Sequence, residues 1–230
     1  DSSFASYDNI IEGNIITFGA HSGAAISISG VSRTAVSHNT ITGDGSTMDT
    51  GIGIYQTSGN SPYGNSITGN VISIVQNNGI FLYDAGNGSN PILTTSITGN
   101  TITGSGGRGI HLSTAQQSVV TGNVIDDAGQ EGILLAYSSN DNTITGNTIW
   151  DANGGIALYS TSNNRNVISS NKITDSAGSS YAIDISSGNS DNTLVGNYYS
   201  GTGAASISDA GTNTRYTEWD RLTLDTRPLG

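Results

Sequence analysis

An asparagine returns along this chain at intervals of 23 to 31 residues, each time inside a short motif of the form Ile-Thr-Gly-Asn-x-Ile. The copies read IEGNII, VSHNTI, ITGNVI, ITGNTI, VTGNVI, ITGNTI, ISSNKI and LVGNYY. Their asparagines are Asn14, Asn39, Asn70, Asn100, Asn123, Asn147, Asn171 and Asn197. Between them a second apolar motif recurs as AISI, GIGI, GIFL, GIHL, GILL, GIAL and AIDI. A unit repeated at this period is one supersecondary element that cannot bury its apolar face alone. It does so by stacking on copies of itself.

Within each copy, apolar and polar residues alternate over three to five positions, the pattern of half-buried strands. Three residues before each asparagine stands Ile11, Val36, Ile67, Ile97, Val120, Ile144, Ile168 or Leu194. Two residues after it stands Ile16, Ile41, Ile72, Ile102, Ile125, Ile149, Ile173 or Tyr199. The second motif adds inward pairs such as Ile80/Leu82, Ile110/Leu112 and Ile156/Leu158. No segment carries helical spacing long enough for a β-α-β unit. The expected fold is all-β, a single-stranded right-handed parallel β-helix (a solenoid) of about eight coils. With rungs about 4.8 Å apart it makes a rod roughly 35–40 Å long.

Composition agrees and excludes several classes. Of 230 residues 32 are glycine and 24 asparagine, while only 34% are hydrophobic and 11% charged. Gly and Asn suit tight corners: Gly lacks a Cβ, and Asn tolerates bent or left-handed backbone while its amide reaches an equivalent Asn one rung away. Seven cations against 18 anions, net −11, argue against nucleic acid. No apolar run approaches the length of a membrane helix. Without cysteine there is no disulfide or thiolate metal site.

The wording "NTITGNTI…GGIxL" over about residues 9–208 resembles the right-handed β-helix repeat superfamily, and within it the carbohydrate-binding and sugar-hydrolysis type of repeat. That group includes mannuronan epimerase modules, phage tailspikes, archaeal surface proteins and the periplasmic copper-site maturation factor of nitrous-oxide reductase. The resemblance implies a polysaccharide partner and an extracellular, cell-surface or virion location. The matching residues are ladder and core positions, which specify a fold better than an activity.

Outward positions and unequal loops are where individuality resides. Two coils are extended after equivalent tyrosines, Tyr55-QTSGNSPYG and Tyr83-DAGNGSNPILTT. The outward residues of the second motif include Tyr55, Phe81, Tyr83, His111 and Tyr159, an aromatic strip for substrate binding, or alternatively rings that pack beneath the loops. His111 beside Tyr83 suits acid–base chemistry, and Arg108 is the cation at hand for a substrate carboxylate. Epimerases resembling this chain use such a His–Tyr pair within a fuller motif that is not recognisable here, and a lone histidine is also an ordinary surface residue. Arg108 and Glu131, each directly before the Gly of its motif, are expected to pair.

Asp127, Asp151 and Asp175 lie four residues after successive ladder asparagines, with Asp126 nearby. Stacked carboxylates repel unless something intervenes. Three readings stay open: a Ca²⁺ site, a glycosidase carboxylate pair, or Asp as a turn residue facing water. The outward column Thr68, Thr98, Thr121 and Thr145 invites comparison with water-ordering arrays, and threonine is also simply a good strand residue.

After Asn197 the pattern decays, so the expected organisation is a β-helix over 1–208 and a tail over 209–230 that caps the last coil or docks on a partner. Two function classes follow. One is a polysaccharide-interacting protein, with hydrolase, lyase or epimerase activity as the enzymatic form. The other is a non-catalytic module of a surface layer, filament or phage fibre, for which homo-oligomers or end-to-end assembly are the natural partners.

Overall fold

The computed structural model describes residues 7–17, 19, 23–45, 50–57, 59–84, 90–174, 181–200 and 206–217. Three parallel sheets of nine, eight and eight strands run the length of the molecule. The first sheet gathers the strands that precede the ladder asparagines, from Ile10–Glu12 through Thr193–Val195, and ends on Arg215–Tyr216. The second gathers those that follow, from Ile15–Thr17 to Tyr198–Ser200. The third carries the Gly-Ile motif, from Ala24–Ser29 to Ile207–Asp209. Each strand pairs with its equivalents one coil away, as predicted: Ile97 faces Ile67 and Val120, and Leu112 faces Leu82 and Leu135.

The inward columns form one continuous core. Val36, Ile67, Ile97, Val120, Ile144, Ile168 and Leu194 have no exposed surface, and the columns of Ile72 and Ile110 behave alike. Burying one such side chain contributes about 1.5–3 kcal/mol. The glycine that opens the Gly-Ile motif has a packing reason. A Cβ on Gly109 would lie 2.5 Å from Ile125 Cγ2 and 2.6 Å from the Gly132 carbonyl oxygen. On the interior coils only hydrogen fits where the third sheet begins against the isoleucines of the second, while toward the two ends Ala25 and Ala182 take the position.

Corners are held by buried amide ladders. Asn123 donates from its backbone N–H (3.0 Å) and from Nδ2 (2.9 Å) to Asn147 Oδ1, and Nδ2 also reaches the Ile97 carbonyl. The arrangement repeats from Asn14 to Asn197, always with the upstream residue donating. One expectation needs correction: the ladder asparagines do not take the left-handed backbone themselves. The residue before each one does, as in Gly122 (φ 63°), Gly146 (63°), His38 (53°) and Ser170 (54°).

Two further ladders stand at the corner between the third and first sheets. Ser118 donates to Asn142, Asn142 to Asn166 and Asn166 to Asn192, while Ser139 donates to Asn163 and Asn163 to Asn189. Here too the preceding residue is left-handed, through Asp8, Arg33, Gly64, Thr94, Gln117, Asp141, Arg165 and Asp191. The side chains of that column point outward and pair where charges allow, as Arg33 with Asp8 and Arg165 with Asp141.

The extended coils rejoin this frame. Ile92–Leu93 pairs in parallel with Ala115–Gln116, and Gln56 N–H donates to the Tyr83 carbonyl. Strand pairing continues past residue 208, since Arg215–Tyr216 pairs with Thr193–Leu194. Residues 218–230 of the expected tail lie outside the described residues.

Candidate functional site

The outward face of the third sheet brings together most of the residues singled out from sequence. Phe81 and His111 occupy one column and Tyr55 and Tyr83 the next, because pleating sends alternate side chains outward and parallel register stacks them. The four rings form one cluster. Phe81 stacks on His111 with centroids 4.6 Å apart and planes 18° from parallel, and tilts 34° to Tyr83 at 5.0 Å. Tyr55 meets Phe81 and Tyr83 edge-on at 6.3 and 6.5 Å. Gly53 makes room for this, since a Cβ there would run into the Tyr55 ring. The rings thus pack on one another, and Tyr83 remains 39% exposed.

His111 is not the surface histidine that an outward position suggests. It is 9% exposed, and neither ring nitrogen has a hydrogen-bond partner. Burial first, and the Arg108 guanidinium second, push its pKa down to about 3, so the imidazole is neutral. The expected pair between Arg108 and Glu131 is present, Nε to Oε2 at 3.1 Å, with side chains 25% and 14% exposed. On the following rungs Leu134, Ala136 and Ala157 are buried although they face away from the core. They form a small apolar cluster against Tyr159. The Tyr159 phenol is raised above its ordinary range by burial, then by the nearby Asp184 and Glu131 carboxylates.

Two of the three residues of the acidic column, Asp127 and Asp151, fall among the described residues, on adjacent rungs. Asp127 and Asp151 are exposed and left-handed, with φ of 55° and 49°. Ile74 and Gly104 take the same conformation at the equivalent positions. The turn therefore imposes that backbone whatever the side chain, and Asp suits it. Asp126 is raised by desolvation and then by Asp127 and Asp151. Asp175 lies outside the described residues. Among the described residues no three His, Cys, Asp or Glu side chains gather as a metal site.

A groove of about 410 Å³ opens where the strands of the third sheet end, between the exposed rings of Tyr83 and Tyr137. Asp84, Ser113, Thr114, Ser138 and Thr161 complete its lining, and among the described residues no cation lines it. Sequence reasoning missed Tyr137, which is 61% exposed and directly follows the GILLA segment. Its backbone is left-handed (φ 53°), as is that of Ser138 (64°), so the chain turns one residue past the strand and swings the ring to the groove. The available signal was an aromatic where the preceding coil has Thr114.

The family model described as "Right handed beta helix region" matches residues 51–217. Comparison with curated proteins returns no match. Among solved structures, the surface protein and adhesin PfbA of Streptococcus pneumoniae is 14% identical, covers 90% of this chain and 68% of its own, and superposes with a TM-score of 0.51. The alginate lyase from Paenibacillus sp. str. FPU-7 is also 14% identical, with 89% and 79% covered and a TM-score of 0.47. The A-module of the Azotobacter vinelandii mannuronan C-5 epimerase AlgE4 is 14% identical, with 88% and 80% covered and a TM-score of 0.36.

Proposed function

The chain belongs to the right-handed β-helix family, and from that premise we propose that it binds a neutral polysaccharide in the groove between Tyr83 and Tyr137. One observation carries the reading. Two exposed phenol rings flank a concavity lined by four hydroxyl side chains and Asp84. Tyrosine offers a sugar ring a broad apolar face with a polar tip, and hydroxyls bond sugar hydroxyls in either sense. With no cation in that lining among the described residues and a net charge of −11, an uncharged glycan is the better match than a polyanion. Phe81, Tyr55 and His111 act beneath this surface by holding the Tyr83 ring in place. The reading carries with it an extracellular, cell-surface or virion location, where polysaccharide is met. A glycan array with the intact chain tests it. Binding to neutral glycans is expected, weakened about tenfold or more by Tyr83→Ala or Tyr137→Ala; an array blank for every neutral glycan sinks the proposal.

A lytic reading rests on a separate observation, the neutral His111 imidazole with both nitrogens unengaged. There His111 would take the proton, Tyr83 return one, and Arg108 meet a substrate carboxylate. Polysaccharide cleavage that His111→Ala abolishes is the result this reading needs.

A further inference from the structure

Along the strand Gly154–Tyr159 lies a second concavity, of about 250 Å³. Glu131, Gly154 and Tyr181 share one register position on three successive rungs, as the pairings of Glu131 with Gly154 and of Ile156 with Ile183 require. The middle rung has no side chain, and the gap is the cavity. Its lining includes Tyr159, Tyr181, Glu131, Asp184, Gln130 and Asn153. It shares no lining residue with the tyrosine groove, and Tyr159 here stands two rungs, about 10 Å, from Ser113 there.

We propose that this cavity is a separate binding site for a protonated amine, carried either by an amino sugar or by a polyamine. Two carboxylates face it, and Arg108 offsets only one of them through its bond to Glu131. Among the described residues no cation pairs with Asp184, which lies close enough to Tyr159 to raise its phenol. Asp184 and Glu131 give the cavity a negative field, and after burial they are what raise the Tyr159 phenol. An ammonium group brings three donors and no acceptor, and the faces of tyrosine rings attract cations. An anion is repelled. A Ca²⁺ ion takes six to eight oxygens, whereas here two acidic residues line the cavity and the Glu131 carboxylate is tied to a guanidinium.

Calorimetry on the intact chain tests this with three probes: a glucosamine tetramer, the same tetramer fully N-acetylated, and spermidine. The expected result is binding of the glucosamine tetramer or of spermidine, weakening as salt is added, with no binding of the acetylated tetramer that depends on Asp184. The tetramer alone identifies an amino sugar, and spermidine alone a polyamine. Asp184→Asn should weaken the bound amine about tenfold to a hundredfold, the loss of a charge-assisted contact. Tyr181→Ala should weaken it as well, and Tyr83→Ala should leave it unchanged, so the outcome does not depend on the tyrosine groove. Failure of both amines to bind overturns the proposal, as does an Asp184→Asn protein that folds and binds as tightly as the parent.

Discussion

Phe81 and His111 stack face to face on adjacent rungs, 4.6 Å between centroids, and the imidazole sits there with both nitrogens unpaired. Such a ring is held as an aromatic surface, and a proton on it is costly.

This makes stability depend on acidity. The unfolded chain protonates His111 below about pH 6.5, the folded chain only near 3. The unfolded state therefore binds more protons in between. His111 costs nothing above about pH 6.5, and stability falls as pH drops toward 3, by up to about 1.4 kcal/mol per unit. Denaturation of the parent and of His111→Phe at pH 7 and pH 4.5 should show the variant losing less on acidification. Carboxylates common to both cancel in that difference.

The ladder should be strong within and weak at its first rung. Asn123→Ala leaves the Asn100 N–H and Nδ2 without their acceptor and the Ile97 carbonyl without its donor, all buried. A loss of about 2–5 kcal/mol in urea denaturation is expected. Asn14 is exposed and donates to Asn39 without receiving from a further rung among the described residues. Asn14→Ala should cost less than about 1 kcal/mol.

The two kinds of glycine should respond in opposite ways. Gly109→Ala forces a methyl against Ile125 and a carbonyl oxygen, and a loss of about 2–3 kcal/mol is expected. Gly122 is left-handed with nothing within 4 Å of a Cβ, and the equivalent corner carries His38 and Ser170. Gly122→Asn should stay within about 1 kcal/mol of the parent.

Ion pairs should matter according to depth. Arg108→Ala abandons the largely buried Glu131, and a loss of about 1–3 kcal/mol is expected. Arg165 meets Asp141 at 2.7 Å in the open, with side chains 56% and 37% exposed, and Arg165→Ala should leave the denaturation midpoint unmoved.

Period-two alternation and the asparagine spacing made the sheets, their register and the first ladder legible, because backbone pairing and parity follow directly from them. The other ladders escaped notice because Ser118 and Ser139 stand in place of Asn and break the motif, though a hydroxyl does the same bonding. Register also foretold that Phe81 neighbours His111 and that Arg108 meets Glu131. Parity says which side of a sheet a residue takes, and nothing about how enclosed that side is. For that reason the burial of His111 and Leu134 could not be read. Tyr137 lies past the strand, where parity no longer applies, and Asp184 reaches Tyr159 across an offset of both rung and position.

Every asparagine-to-asparagine bond of the ladder runs in the same sense along the rod, and the interior coils are 24 residues apart at Asn123, Asn147 and Asn171. Excising or duplicating one such unit joins equivalent atoms to equivalent atoms, with no donor or acceptor mismatched at the seam. Length is therefore a heritable variable, adjustable in steps of about 4.8 Å. The exterior of each new step is free to diverge, because its backbone is fixed by its neighbours.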